Sequence, residues 1–367
     1  MPKKHPGPLS DIRVLEFAGL GPAPFSGMLL ADLGADVIRI DREAGPDYKP
    51  EDVESRGRSS IVLDLKSDDG LNTAKALAGK AHILIEGFRP GVMERLGLGP
   101  DELLALNPSL VYGRITGWGQ TGPLSRLAGH DINYLGLTGA LHAMGTTEKP
   151  AIPLNLVADF GGGAMYLVMG ILAALHHATR SGEGQVVDAA MTDGVISLMN
   201  MIYGDFAVGA WKDTRESNVI DGAAPFYNVY QCADGKWVSL ACIEPPFYKA
   251  FIAKADLHDE WLTSQWDRDS WPSRITELET FFSGKTRDEW MTYFANDDVC
   301  IGPVLSLAEA PGHPHNQARN SFQNIADIPQ AGAFPLLNKT PSTTPHGVHT
   351  KNQDHESILG RWSIPKS

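Results

Sequence analysis

Through roughly its first half, the chain alternates short runs of β-forming apolar residues with longer stretches of helical period. Ile12 to Phe17, Asp36 to Asp41, Ile61 to Leu65, His82 to Glu86, Leu110 to Thr116 and Gly184 to Ala190 each read as strands. Helical patterns lie between them, among them Ala23 to Leu33, a segment capped near Ser67, one running from Asp159 through His177, and one from Met191 to about Tyr203. Strands separated by crossover helices pair in parallel, since each helix carries the chain back along the sheet. The pattern predicts an α/β fold with a doubly wound, mainly parallel, Rossmann-like sheet. Ligands of such sheets bind beyond the carboxyl ends of the strands.

The period changes after Tyr203. Phe226 to Cys232 and Lys236 to Ile243 alternate like antiparallel strands, and Ala233-Asp234-Gly235 between them is a hairpin signal. Helical patterns follow at Pro246 to Ala255, Trp271 to Ser283 and Thr286 to Ala295, then a short apolar run from Cys300 to Leu307. We therefore expect a large α/β domain over 1–203, a linker over 204–224 and a smaller α+β domain over 225–310. The remainder, 311–367, is rich in Pro, His, Asn and Thr and is expected to return as an extended segment packing on the large domain.

A chain of 367 residues, 43% of them hydrophobic, can bury a large core. Its formal charge of -13 argues against a nucleic-acid-coating surface, so any phosphate site must be a local one. Cys232, Cys242 and Cys300 are odd in number and lack C-x-x-C spacing, which suggests neither a disulfide framework nor a thiolate metal cage. The N-terminus lacks a signal peptide's apolar core, and the most apolar window, Met165 to Leu175, falls short of the ~18 residues that cross a bilayer. The C-terminus is not a Ser-Lys-Leu address. We expect a cytoplasmic protein with no membrane insertion.

Four cations, Arg39, Lys66, Arg89 and Arg95, stand near predicted strand ends and suggest a pocket for phosphate groups, the alternative being solvated loop charges. Gly19-Leu20-Gly21 begins a dinucleotide fingerprint, with Asp41 some 20 residues on, but Pro24 replaces the helix-packing glycine. No nicotinamide or flavin cofactor is expected. Neither a Gly-x-Ser-x-Gly elbow nor a P-loop is present, which weakens hydrolase and kinase readings. His142, His176, His177, His313 and His315 pair with no second ligand at metal spacing, so no metal site is expected.

Two motifs remain, Gly129-His130-Asp131-Ile132-Asn133-Tyr134 and Ala158-Asp159-Phe160-Gly161-Gly162-Gly163. Each opens an apolar segment of helical period. His130 has an ordinary helix-entry reading, and Asp159 that of an N-cap. Yet three glycines in a first turn cost about 1 kcal/mol each relative to alanine, and no cap requires them. We expect something to approach the backbone there, such as an oxyanion held by N–H groups at the helix start. Glu244, in Cys242-Ile243-Glu244-Pro245-Pro246, is either a cap or a carboxylate able to orient an imidazole. Methionines 144, 165, 169, 191, 199 and 201 are either helix core or an adaptable acyl surface.

Taken together, Asp32 to Asp41, Glu86-Gly87-Phe88-Arg89-Pro90-Gly91, Gly129 to Tyr134, Ala158 to Gly163 and Gly184 to Ala190 resemble the family III CoA-transferases, continuously from Leu9 to about Tyr248 and more thinly beyond. The resemblance implies an acyl-CoA enzyme whose two chains interlock like links in a homodimer, with active sites between domains of different chains. It implies coenzyme A contacts at Arg39, at Leu63-Asp64-Leu65-Lys66, at Gly87-Phe88-Arg89, at Arg95, and along the backbone of Gly129, Asp131, Ile132, Asn133 and Tyr134. Transferases of the family use the carboxylate at the position of Asp159 as a nucleophile and usually lack a histidine at the position of His130; the racemases of the family carry it. Many transferases also have a glutamine where this chain reads Gly19-Leu20-Gly21-Pro22.

Both differences favour a racemase acting on a 2-methylacyl-CoA, with CoA transfer through Asp159 as the alternative and a non-catalytic acyl-CoA carrier as a distant third. Inversion next to a thioester needs an acid and a base on opposite faces of one carbon, roles that fit His130 and Asp159, with Glu244 placed by the resemblance beside His130. No metal or redox group enters this scheme, coenzyme A being part of the substrate.

Overall fold

Six strands, β1 (Arg13–Phe17), β2 (Asp36–Asp41), β3 (Arg58–Val62), β4 (Ile83–Glu86), β5 (Val111–Thr116) and β6 (Gln185–Ala190), form one sheet in the order β3-β2-β1-β4-β5-β6. Every neighbouring pair is parallel. Val14, Leu15, Phe17, Ile38, Ile83, Leu84 and Ile85 are fully buried, which is why these strands read as continuous apolar runs rather than alternating ones. Strand order reverses between β1 and β4, and the two loops leaving their carboxyl ends diverge there to open a crevice.

The computed structural model describes residues 7–44, 47–342, 346–348, 350–352 and 355–364. The chain divides into two units, one of Met1–Thr138, Pro153–Met199 and Arg319–Ser367, the other of Gly139–Ile152 and Asn200–Ala318. The boundaries differ from the sequence reading in detail. The predicted helix from Met191 to Tyr203 is two helices, Met191–Leu198 and Asn200–Ala207, and the unit boundary falls at the break. The expected linker is ordered, its Asn218 being 2% exposed and bonded through its amide to Lys212 and Asp221.

β3 begins three residues earlier than expected. Its first residues, Arg58-Ser59-Ser60, are polar, but Arg58 is 2% exposed and its Nε lies 2.5 Å from Glu16 Oε2 in β1. Ion pairing inside the sheet replaces the apolar signal, and 63–66 becomes the loop leaving the strand. The segment before β6 also departs from expectation. Asp159 does not cap a helix: it lies inside a π-helical stretch, Leu156–Ala164, which runs on into the α-helix Met165–Ser181.

The combined helix Leu156–Ser181 is long and apolar enough, by length and composition, to cross a membrane. The apolar window from Met165 to Leu175 lacks the first turns of this helix, Leu156–Ala164. Leu167, Val168, Ile171 and Ala174 face the core of the unit, while Met165 and Met169 are exposed.

The glycine run has a structural explanation that the sequence reading did not foresee. A Cβ on Gly162 would stand 2.8 Å from Val195 N, and one on Gly163 3.0 Å from Met191 Cγ. The close approach predicted from these glycines is made by helix Met191–Leu198.

The expected return segment contains a hairpin, β10 (Phe322–Ile325) and β11 (Ile328–Ala331), and a helix, His355–Arg361. Arg56 donates to Gln330 Oε1 and Ala331 O at 2.8 Å each, and Trp362, 1% exposed, donates through Nε1 to Asp36 Oδ2 at 2.8 Å. The second unit carries an antiparallel sheet of β7 (Tyr227–Gln231), β8 (Trp237–Ala241) and β9 (Ile301–Val304). Phe226, Tyr230, Phe251, Trp261, Trp271, Phe282 and Trp290 form much of its core.

Candidate active site

A cavity of about 470 Å³ occupies the crevice at the strand-order reversal, lined wholly by the first unit. The loop after β1 contributes Leu20, Gly21 and Pro22; the loop after β4 contributes Gly87, Phe88, Arg89 and Pro90; and the loop after β5 contributes Gly117 and Trp118. Gly129, His130, Tyr134 and Asp159 complete the wall. The two groups singled out for proton transfer therefore line one cavity.

His130 is the N-cap of helix Asp131–Leu137, where its backbone N–H donates to Asn133 Oδ1 at 2.9 Å. Tyr134, on the next turn of that helix, donates its hydroxyl to Gly129 O at 2.5 Å and packs edge-on against Trp118 at 4.7 Å. Gly117 and Gly129 make room for it, since a Cβ on either would come within 2.0 and 2.7 Å of the ring.

Asp159 reaches the cavity opposite the β1 loop, its Oδ2 3.4 Å from where a Cβ on Gly21 would stand. Gly21 holds φ at 66°, a backbone region that favours glycine. Burial is the main reason that the Asp159 carboxyl is pushed up to about 6, with the Asp131 charge adding to it and His130 and a hydrogen bond from Asn155 opposing it. A carboxyl near 6 exchanges its proton readily around neutral pH, as an acid–base group must.

Three N–H groups at and beside Asp159 are not free for an oxyanion, contrary to the sequence expectation. Those of Ala158 and Asp159 donate to Asp131 Oδ2 at 3.1 and 2.8 Å, and that of Phe160 donates to Asn155 O at 3.3 Å.

A second cavity, of about 710 Å³, shares Phe88 with the first. Leu63, Asp64, Leu65, Lys66 and Arg95 line it, with Arg42 and an apolar floor that includes Phe17, Ile40 and Leu96. Six of the residues expected to contact coenzyme A, the shared Phe88 among them, are thus gathered in one place, while Gly87 and Arg89, with Phe88, line the cavity of His130 and Asp159.

Arg39 does not join them. It is 3% exposed, 3.6 Å from Glu16, 3.7 Å from Asp41 and 4.0 Å above the ring of Tyr48, so it belongs to the sheet's internal ion-pair network. The cation from this stretch that joins Lys66 and Arg95 on the cavity is Arg42, three residues later, which is not among the sequence-predicted contacts. Arg42 follows the last residue of β2, at the carboxyl edge where ligands bind, whereas Arg39 sits within the strand. Ile132 and Asn133 are exposed on their helix and do not line the first cavity, and Asp131 points inward to the backbone of Asp159. Glu244 belongs to the second unit, where it stands at the N-cap of helix Pro245–Lys254 without a side-chain bond to that helix.

A profile of CoA-transferase family III matches residues 9–354. Alpha-methylacyl-CoA racemase of Mus musculus is 43% identical over 336 residues, covering 91% of this chain and 87% of the relative. The Homo sapiens racemase is 42% identical over 340 residues with the same coverage. Succinyl-CoA--D-citramalate CoA-transferase of Chloroflexus aurantiacus is 31% identical over 367 residues, covering 94% of this chain and 90% of the relative. Among solved structures, a CAIB/BAIF family protein from Brucella suis shares the fold at a TM-score of 0.83 and 24% identity, covering 97% of this chain and all of that one. On this profile match and these identities, the chain belongs to CoA-transferase family III.

Proposed function

We propose that the chain is a racemase that interconverts (R)- and (S)-2-methylacyl-CoA thioesters by moving the C2 proton through an enolate. The observation that carries the reading is the presence of His130 and Asp159 on one cavity, with the Asp159 carboxyl pushed up to about 6. In one direction His130 accepts the C2 proton while protonated Asp159 donates to the other face; in the reverse direction the roles exchange. The pair then carries one proton between them, and its titration belongs to the pair. The enolate oxygen needs a donor, typically worth about 2.7 to 4 kcal/mol, and it must come from the cavity wall outside the committed amides of Ala158, Asp159 and Phe160.

The second cavity supports binding of the coenzyme A portion, its phosphates meeting Arg42, Lys66 and Arg95. The racemase relatives support the choice of reaction. Glu244 is proposed as the carboxylate that orients His130. An interlocked homodimer is also proposed: Met165, Met169, Ile196 and Leu198 are between 47% and 60% exposed, an apolar surface that a second copy would cover. A cytoplasmic location fits the free cysteines Cys232, Cys242 and Cys300.

Transfer of CoA between carboxylates is the second reading, favoured by the D-citramalate CoA-transferase relative. A carboxyl near 6 is mostly anionic at neutral pH and suits a nucleophile as well as a proton carrier; His130 on the same cavity wall is what favours the racemase. Chiral separation of products decides between them. Conversion of a single-epimer 2-methylacyl-CoA to the epimeric mixture supports the racemase; no conversion, with hydroxylamine trapping an acyl group on Asp159, supports transfer. Tight binding with neither reaction would leave an acyl-CoA carrier.

A further inference from the structure

We propose that Asp131 is a positioning residue for Asp159, its carboxylate locking the backbone from which Asp159 projects to the helix that begins at His130. The inference rests on the proton-transfer reading above. Asp131 is the first residue of helix Asp131–Leu137, directly after His130, and is 7% exposed. Its Oδ2 accepts the N–H groups of Ala158 and of Asp159 itself. Two side-chain torsions separate that oxygen from the Asp131 backbone, so residues 130 and 159 are held within the reach of one short side chain.

The bond joins elements remote in sequence and answers a local need, because the first N–H groups of a helix have no intrahelical acceptor. A serine or asparagine cap beside them would answer it as well. What a local cap would not supply is the fixed relation to His130. Asp131 Oδ1 is buried without a hydrogen-bond partner among the described residues, an arrangement that costs stability and is kept nonetheless.

The groups that face the Asp159 carboxyl are His130, Asp131 and Tyr134 from one element, Asn155 before the π-helical turn, and Glu54 from the short helix Val53–Ser55. His130 and Asn155 favour the anion and Asp131 disfavours it, while the Asp159 charge in turn raises the Glu54 carboxyl. Asp131 thus anchors the Asp159 amide and also places a fixed negative charge beside its carboxyl.

The test compares full-length wild type, Asp131→Asn and Asp131→Ala by epimerisation across pH and by carbon NMR titration of the Asp159 carboxyl. Asparagine keeps an acceptor and loses the charge, so epimerisation is expected to stay within about tenfold of wild type while the Asp159 midpoint moves down. Alanine loses the anchor, and epimerisation is expected to fall about a hundredfold at unchanged KM. Epimerisation by Asp131→Ala within threefold of wild type overturns the proposal. Should alanine fail to fold, hydrogen exchange at the Ala158 and Asp159 amides of the wild type decides, and exchange as fast as in an open loop overturns the proposal. A wild type that does not epimerise defeats the proposed reaction, whereas exchange at these two amides still decides the role of Asp131.

Discussion

Asp131 Oδ2 accepts the backbone N–H of Asp159 at 2.8 Å, so the residue next to the proposed base carries the residue proposed as its opposing acid. That contact ties helix Asp131–Leu137 to the π-helical turn and accounts for two features at once. Asp159 faces the cavity from within a helix rather than from a cap, and its carboxyl sits beside another carboxylate that helps hold its proton.

The pH dependence follows in sign. The Asp159 carboxyl is raised from the ordinary aspartate range to about 6, so removal of the C2 proton on its face needs the anion and is expected to fall as pH drops below about 6. Proton return from Asp159 needs the acid form and is expected to fall as pH rises above that value. Because the folded value lies above the unfolded one, the group's contribution to stability is present below the unfolded value and is lost as pH rises through about 6. Initial rates of epimerisation measured from each epimer between about pH 5 and 8 check the first two statements, and Asp159→Asn is expected to abolish epimerisation from both.

Arg42 and Arg39 are expected to separate binding from stability. Arg42→Ala removes a cation from the larger cavity and is expected to raise KM roughly tenfold or more, with the effect shrinking at high salt and the melting temperature unchanged. Arg39→Ala leaves Glu16 and Asp41 short of a buried partner and is expected to cost about 3 kcal/mol in urea unfolding. A KM effect confined to Arg39→Ala contradicts the assignment.

Helix packing behind the site makes a stability prediction. A Cβ on Gly194 would stand 1.8 Å from the carbonyl oxygen of Gly162, so Gly194→Ala must push helix Met191–Leu198 away from the turn that carries Asp159. We expect a loss of about 1 to 3 kcal/mol, read by chemical unfolding, together with a lower kcat. An unchanged unfolding midpoint would show that the contact is easily relieved.

Much of this architecture was legible in the sequence because the sheet is buried on both faces, and apolar runs such as Ile83 to Ile85 announce themselves. That His130 and Asp159 share a cavity was legible from residue type and placement near helix starts. Arg58 hid the start of β3, since a buried ion pair with Glu16 looks like a loop when read one residue at a time. Arg39 reads as a cavity cation when strand ends are judged by proximity in sequence, but it lies within the strand and the carboxyl edge begins at Arg42. The glycines at 161–163 signalled close approach correctly but could not say what approaches, since that partner, Gly194 with Val195, follows only after another helix and a strand.

The most direct measurement is deuterium loss from C2, started separately from the (R) and (S) epimers of a C2-deuterated 2-methylacyl-CoA, with wild type, His130→Ala and Asp159→Asn. The wild type is predicted to wash deuterium out of both epimers and to interconvert them. Each variant is predicted to lose interconversion and to keep wash-out from one epimer, a different one in each case. Interconversion by His130→Ala at the wild-type rate, or equal loss of wash-out from both epimers in both variants, would contradict two opposed proton carriers.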